Sequence, residues 1–150
     1  MSFIGRKKEL EQLQGLLKKS SSSLVVVKGR RRIGKSRLIE EFGKYFSQVY
    51  FFSGLPPVEK TSLQDELIAF GWQLGKAFHE PPFRDSDWSD LFLRLANRIR
   101  QGKILVLFDE ISWMGSKDPH FLGKLKTTWD LEFKKNPQLV FVLCGSVSTW

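Results

Sequence analysis

The sequence predicts an α/β fold in which a mostly parallel β-sheet lies between layers of helices. Four short apolar runs have the length and the β-branched or aromatic content of strands buried on both faces: 24–27, 49–52, 104–108 and 139–143. Segments with the helical spacing of apolar residues lie before and between them: 6–19, 35–46, about 62–78, about 88–99 and 119–135. Strands that alternate with helices are joined by crossovers, which is typical of parallel sheets.

Composition is typical of one globular domain. The chain has 150 residues, of which 41% are hydrophobic, and these are enough to bury a core. No apolar run approaches the roughly 18 residues of a membrane span, and the N-terminus lacks the apolar stretch of a secretory signal. The single cysteine, Cys144, excludes an internal disulfide and a cysteine-cluster zinc site. Together these features favour the cytoplasm and predict no membrane association.

The chain is basic, with a formal net charge of +8. Six of its 24 basic residues lie within the ten positions 28–37, and the others are scattered. An excess of basic over acidic residues is typical of proteins that bind nucleic acid, acidic lipid or an anionic nucleotide. Because no basic tail or zinc-finger spacing is present, nucleic acid is left open as a partner on charge alone.

A phosphate-binding loop is predicted after the first strand. The pattern Gly-x-x-x-x-Gly-Lys-Ser needs glycines for a backbone that turns its N–H groups towards phosphate oxygens, at the positive end of the following helix. The lysine reaches the outer phosphates and the serine hydroxyl is a Mg²⁺ ligand. The pattern matches Gly29, Arg30, Arg31, Arg32, Ile33, Gly34, Lys35 and Ser36, and Arg37 follows it. The arginines are either further phosphate or partner contacts or a solvated face of the loop.

Two adjacent carboxylates end the third strand. Asp109 follows the apolar run 104–108, so it is predicted to hold the metal directly or through water. Glu110 comes next and is placed to take a proton from the attacking water. The alternative is a buried strand that ends in two solvated acids, but the phosphate loop favours the functional interpretation. No Asn-Lys-x-Asp guanine motif is present, so ATP is preferred to GTP.

The candidate residues are expected to meet at one edge of the sheet. Ligands of open parallel sheets bind at the carboxyl ends of the strands. Those ends are predicted at Lys28-Gly29, Ser53, Asp109-Glu110 and Gly145-Ser146. Trp88 and Trp129 have core spacing, whereas Trp72 and Trp113 do not and are either partner contacts or unremarkable surface residues.

The two motifs, with Phe3-Ile4-Gly5-Arg6 and the following Glu9 and Leu10 at the start of the chain, resemble the AAA+ ATPases. The closer likeness is to archaeal-type ATPases allied to the STAND branch, in which an F-x-G-R-x-x-E-L-x-x-L opening, an R-R-x-G-K-[ST] loop and a strand running into G-S recur. This chain has these features in the same order, at 3–13, 31–36 and 143–146. The resemblance therefore covers nearly the whole chain and implies a three-layer P-loop NTPase fold.

The resemblance also implies roles for particular residues. Phe3, Ile4, Gly5 and Arg6 would lie near the adenine, and Ser146 would read the γ-phosphate from the fourth strand. Ser53 would restrain Glu110 until a partner binds. The family's core continues with a fifth strand beside the phosphate-loop strand and a helical lid, so residues 1–150 are expected to be a P-loop ATPase core truncated before both.

These features predict an ATP-binding and slowly ATP-hydrolysing, Mg²⁺-dependent switch module. An arginine finger would come from a second copy or a partner subunit. The alternative is a nucleic-acid-binding ATPase that resembles origin-recognition or loader proteins. A small-molecule phosphotransferase is disfavoured, because a base that activates water is of little use to an acceptor kinase. A binding module without catalysis also stays open.

Overall fold

The computed structural model describes residues 11, 14–28 and 40–145. Four strands form one sheet in the order β1-β4-β3-β2: β1 (Ser23–Lys28), β2 (Gln48–Ser53), β3 (Ile104–Asp109) and β4 (Leu139–Gly145). Every pairing is parallel. The predicted α/β class is confirmed. Each predicted strand is present and is one or two residues longer than its apolar run, because the residues that flank each run continue the backbone pairing.

Helices connect the strands. They are α1 (Leu63–Ala77), α2 (Trp88–Arg98), α3 (Ile111–Met114) and α4 (Phe121–Leu131), with a 3₁₀ turn at Phe133–Lys135. Residues 14–16 and 40–43 are also helical. Ser62 begins α1 through a capping box with Asp65, and the Asp87 side chain accepts the N–H of Ser89 at the start of α2. Serine and aspartate are residue types that commonly cap helices, whereas the four-residue α3 is too short for periodicity to reveal.

One face of the sheet carries an aromatic core. Phe52, Phe108 and Phe141 of the strands pack against rings from α1, α2 and α4, including Phe70, Trp88, Phe92 and Phe121. Trp88 is fully buried, as predicted, and Trp129 packs half-buried at the margin. The helical spacing of apolar residues also predicts that Leu63 and Leu122 face inwards, but both are exposed, at 36% and 45%.

The other face of the sheet carries a smaller aliphatic core. Leu105, Leu107, Val140, Val142 and the buried Cys144 lie on this face, and Phe42 of the helical residues 40–43 covers them. Leu16 and Leu17 pack against the same cluster. Helices therefore cover both faces, and the chain has the three layers expected of it.

The outer strands of the described sheet are β1 and β2. The strand that precedes the predicted phosphate loop, β1, is therefore an outer strand in the described part of the chain. None of the described helices is both long enough and apolar enough to cross a lipid bilayer.

Candidate functional site

The carboxyl ends of the strands meet at one edge of the sheet. Lys28 is in register with Gly145, and Ser53 is in register with Asp109. Between the two pairs, Phe108 is in register with Leu143, one position before the end of β3. The strand ends predicted to carry the site thus come together, as the parallel topology requires.

Asp109 lies on the aliphatic face of the sheet. Side chains alternate along a strand, so Asp109 shares the face of Leu105 and Leu107, which Phe42 covers. Residues 40–43 belong to the helical segment predicted to follow the phosphate loop. Asp109 is half-buried, and its Oδ1 accepts the N–H of Glu110 at 3.0 Å, which orients the carboxylate.

Glu110 occupies a left-handed backbone conformation, with φ 51° and ψ 49°. For a residue with a Cβ this costs on the order of 1 kcal/mol. The turn ends β3 and begins α3 at once, and the Glu110 carbonyl accepts N–H groups from Trp113 at 2.9 Å and Met114 at 3.0 Å. The side chain is buried, with 3% of the residue exposed. A buried carboxyl on a tightly fixed turn is suited to proton transfer at one defined position.

The end of β2 is held by a side chain from α1. The Ser53 N–H donates to Gln73 Oε1 at 2.8 Å, and Gln73 Nε2 donates back to the Ser53 carbonyl at 2.9 Å. The Ser53 hydroxyl donates to the Gly54 carbonyl at 3.4 Å. A role of Ser53 in restraining the Glu110 side chain stays a prediction.

Gly54 packs directly against the backbone of Glu110 and Met114. Its N–H donates to the Asp109 carbonyl at 3.3 Å. A Cβ at position 54 would lie 2.4 Å from the Met114 nitrogen and 2.9 Å from the Glu110 carbonyl oxygen. Because both obstacles are backbone atoms, only glycine permits this close approach.

Glu66 is a buried acid on the same helix as Gln73. Its Oε1 accepts the N–H of Leu55 at 3.0 Å, and only 1% of the residue is exposed. Burial raises the pKa of Glu66 to about 7; the hydrogen bond from Leu55 and the positive charge of Lys117 oppose that rise, and Asp65 adds to it.

Sequence reasoning missed Gln73 and Glu66. A signal was available, because helical spacing places Glu66 and Gln73 on the same face as the apolar Phe70. Polar side chains on a buried face need a hydrogen-bond partner. Most of the predicted site lies outside the described residues: the phosphate loop 29–36 with Arg37, the segment Phe3 to Arg6, and Ser146. Their roles stay predictions.

A divalent cation is part of the predicted site. Within 11, 14–28 and 40–145, no group of three or more His, Cys, Asp or Glu side chains is arranged to hold a metal ion. Mg²⁺ bound beside a nucleotide needs only one or two protein oxygens, since phosphates and water complete its shell. The half-buried, oriented carboxylate of Asp109 at the sheet edge fits that requirement.

Comparison with known proteins gives a consistent result. The model of a family described as an ATPase domain predominantly from Archaea matches residues 3–149. An uncharacterized protein of Methanocaldococcus jannaschii is 25% identical over 146 residues, or 97% of this chain, and the chain spans 30% of that protein's length. An uncharacterized ATP-binding protein of the same archaeon is 42% identical over 40 residues, which are 27% of this chain and 68% of that protein.

Proposed function

The chain belongs to the family of ATPase domains found predominantly in Archaea, and from that premise we propose that it binds Mg-ATP and hydrolyses it slowly as a switch module of the AAA+/STAND type. One observation carries the proposal. Asp109 ends a central strand on the face covered by residues 40–43, and the buried Glu110 follows it on a constrained turn. This is the arrangement that a metal-binding carboxylate and a neighbouring base require.

Nucleotide binding is assigned to the phosphate loop. In this proposal the N–H groups of residues 29–36 bind the phosphates, Lys35 contacts the outer phosphates, and the adenine lies near residues 3–6. Ser36 and Asp109 would hold Mg²⁺. When bound, that ion would neutralise charge on the phosphate oxygens.

Hydrolysis is assigned to Glu110 acting as general base. Its carboxylate accepts a proton from water while the water oxygen bonds to the γ-phosphorus, and the bond from that phosphorus to the ADP oxygen breaks. Ser146 is assigned to contact the γ-phosphate. An arginine is also required to stabilise the negative charge that develops in the transition state, and we assign it to a second copy or a partner subunit. The isolated chain therefore turns over ATP slowly.

Two substitutions test these assignments. We expect Lys35→Ala to lose ATP binding, measured by titration with a fluorescent ATP analogue. Glu110→Gln is expected to keep binding and to lose hydrolysis, measured as release of radiolabelled phosphate. Wild-type turnover is expected below about 1 s⁻¹, the lower end of ordinary enzymes. Normal hydrolysis by Glu110→Gln would show that the base is another residue, and faster wild-type turnover would contradict the need for a partner arginine.

A further inference from the structure

Helix α1 reaches the end of β2 with two polar side chains. Gln73 makes hydrogen bonds of 2.8 and 2.9 Å to the N–H and carbonyl of Ser53, and Glu66 accepts the Leu55 N–H at 3.0 Å. The strand is the outermost one on its side of the described sheet, so the Gln73 amide pairs with its backbone as a neighbouring strand would. We call Gln73 and Glu66 the α1 clamp.

The segment held by the α1 clamp abuts the proposed base. Gly54, between the two clamped residues, donates to the Asp109 carbonyl at 3.3 Å and has no space for a Cβ against Glu110 and Met114. The Glu110 carbonyl in turn accepts the first amide hydrogen bonds of α3. Because these contacts are between backbone atoms at closest approach, a shift of residues 53–55 must move the Glu110 turn.

The acid at one of the two clamp positions is costly unless it serves the backbone. Glu66 is 1% exposed, and a buried carboxyl is disfavoured relative to an apolar side chain. Leucine at position 66 would simply extend the buried stripe of Leu67, Phe70 and Leu74. What leucine lacks is an acceptor for the Leu55 N–H.

We propose that Gln73 and Glu66 are positioning residues which, through residues 53–55, set the backbone of Glu110 and so aim its carboxyl group. The inference rests on the proposed function, in which Glu110 accepts the proton from water. It assigns to α1, a helix distant in sequence from both nucleotide motifs, control over the rate of hydrolysis rather than over nucleotide affinity.

The first experiment measures the geometry without nucleotide. Amide hydrogen exchange is followed by NMR in the whole chain for wild type, Gln73→Met and the control Gln64→Met, which makes the same change at an exposed position of α1. We expect the Met114 amide, bonded to the Glu110 carbonyl, to exchange about tenfold faster in Gln73→Met only. Unchanged exchange at Met114 would overturn the proposal.

The second experiment measures hydrolysis. A misplaced base should lower kcat about tenfold or more in Gln73→Met, while the Kd for Mg-ATP stays within about twofold. In the double variant Gln73→Met/Glu110→Gln, the loss should equal that of Glu110→Gln alone, because the clamp acts through the base. A positioning role would be contradicted if the loss of kcat in the double variant equalled the product of the two single-variant losses. It would also be contradicted if Gln73→Met weakened Mg-ATP binding by as large a factor as it lowered kcat.

Glu66 provides a rescue test. Glu66→Gln keeps an acceptor oxygen for Leu55 and should retain most of the wild-type kcat, whereas Glu66→Ala should lose as much as Gln73→Met. Thermal melts establish that each variant is folded. Equal kcat values for Glu66→Ala and wild type would remove Glu66 from the clamp, and with it the proposal as stated.

Failure of the proposed function is recognised separately. If wild-type turnover equals that of Glu110→Gln, the chain does not use Glu110 as a base, whatever the clamp variants do. If wild type hydrolyses ATP and Gln73→Met shows faster Met114 exchange with unchanged kcat, the proposed function stands and the positioning inference is wrong.

Discussion

At the scale of single residues, burial of Glu66 should make stability depend on pH. The folded chain holds the pKa of this carboxyl at about 7, against an ordinary value of 4.5. Between pH 4.5 and about pH 7 the folded state therefore binds more protons at Glu66 than the unfolded state does. This contribution to stability is lost as the pH rises through that window, and no more of it is lost above the window.

Glu66→Gln removes this titration. As the pH rises from about 4.5 to about 7, wild type should therefore lose stability relative to Glu66→Gln. The change in the difference between their unfolding free energies is expected to be on the order of 1–3 kcal/mol. Urea unfolding at pH 5, 6, 7 and 8 measures it. Each protein's own slope includes its other groups, so only the difference is diagnostic. A difference that stays constant with pH would mean that Glu66 keeps an ordinary pKa.

At the scale of elements, α1 depends on close contacts that its apolar pattern does not show. Gly71 lies against the segment that follows α1, where its carbonyl accepts the Phe83 N–H at 3.2 Å. A Cβ at Gly71 would lie 2.0 Å from the Phe83 carbonyl oxygen, whereas at Gly123, on α4, no atom lies within 4 Å of it.

The same substitution should therefore have opposite effects on the two helices. Gly71→Ala is expected to destabilise the chain by about 1–3 kcal/mol through overpacking. Gly123→Ala should stabilise it by up to about 1 kcal/mol, since alanine is the better helix former and meets no obstacle. Chemical denaturation of the two variants in parallel checks the pair, and stabilisation by Gly71→Ala would show that α1 does not pack as described.

At the scale of the whole molecule, positive charge is concentrated rather than spread. The described residues hold sixteen basic and fifteen acidic residues, so the excess lies almost entirely within 1–10 and 29–39. Many of the described charges are also paired, as Lys124 is with Asp87 and Asp118. A nucleic-acid groove would need unpaired cations along one face, so this distribution favours a nucleotide as the anion bound.

We therefore expect only weak, non-specific binding of duplex DNA. Its affinity should fall steeply with salt, as counterion release requires, and saturating Mg-ATP should weaken it by occupying the same cations. Fluorescence anisotropy with a labelled duplex at two salt concentrations measures both effects. Sequence-selective binding that survives at about 0.2 M salt, and that ATP leaves unchanged, would favour the origin-recognition or loader type instead.

Much of the fold could be predicted because its signals are local. The strand at 104–108 is a continuous apolar run, and Ser62 and Asp87 are caps recognisable within three residues of the bonds they make. The pairing order β1-β4-β3-β2 has no such local signal. The order was not predicted from the sequence, because strand neighbours are chosen by packing between distant segments.

The sequence by itself determined the α/β class, the strands, and the adjacent carboxylates Asp109 and Glu110, since each depends on residues that are neighbours in the chain. Only the tertiary structure decided how those carboxylates are held. The left-handed turn at Glu110 lies against Gly54, and the bond between Gln73 and Ser53, 20 residues apart, joins α1 to the end of β2. Such contacts arise from the approach of separate elements, which a linear pattern does not encode.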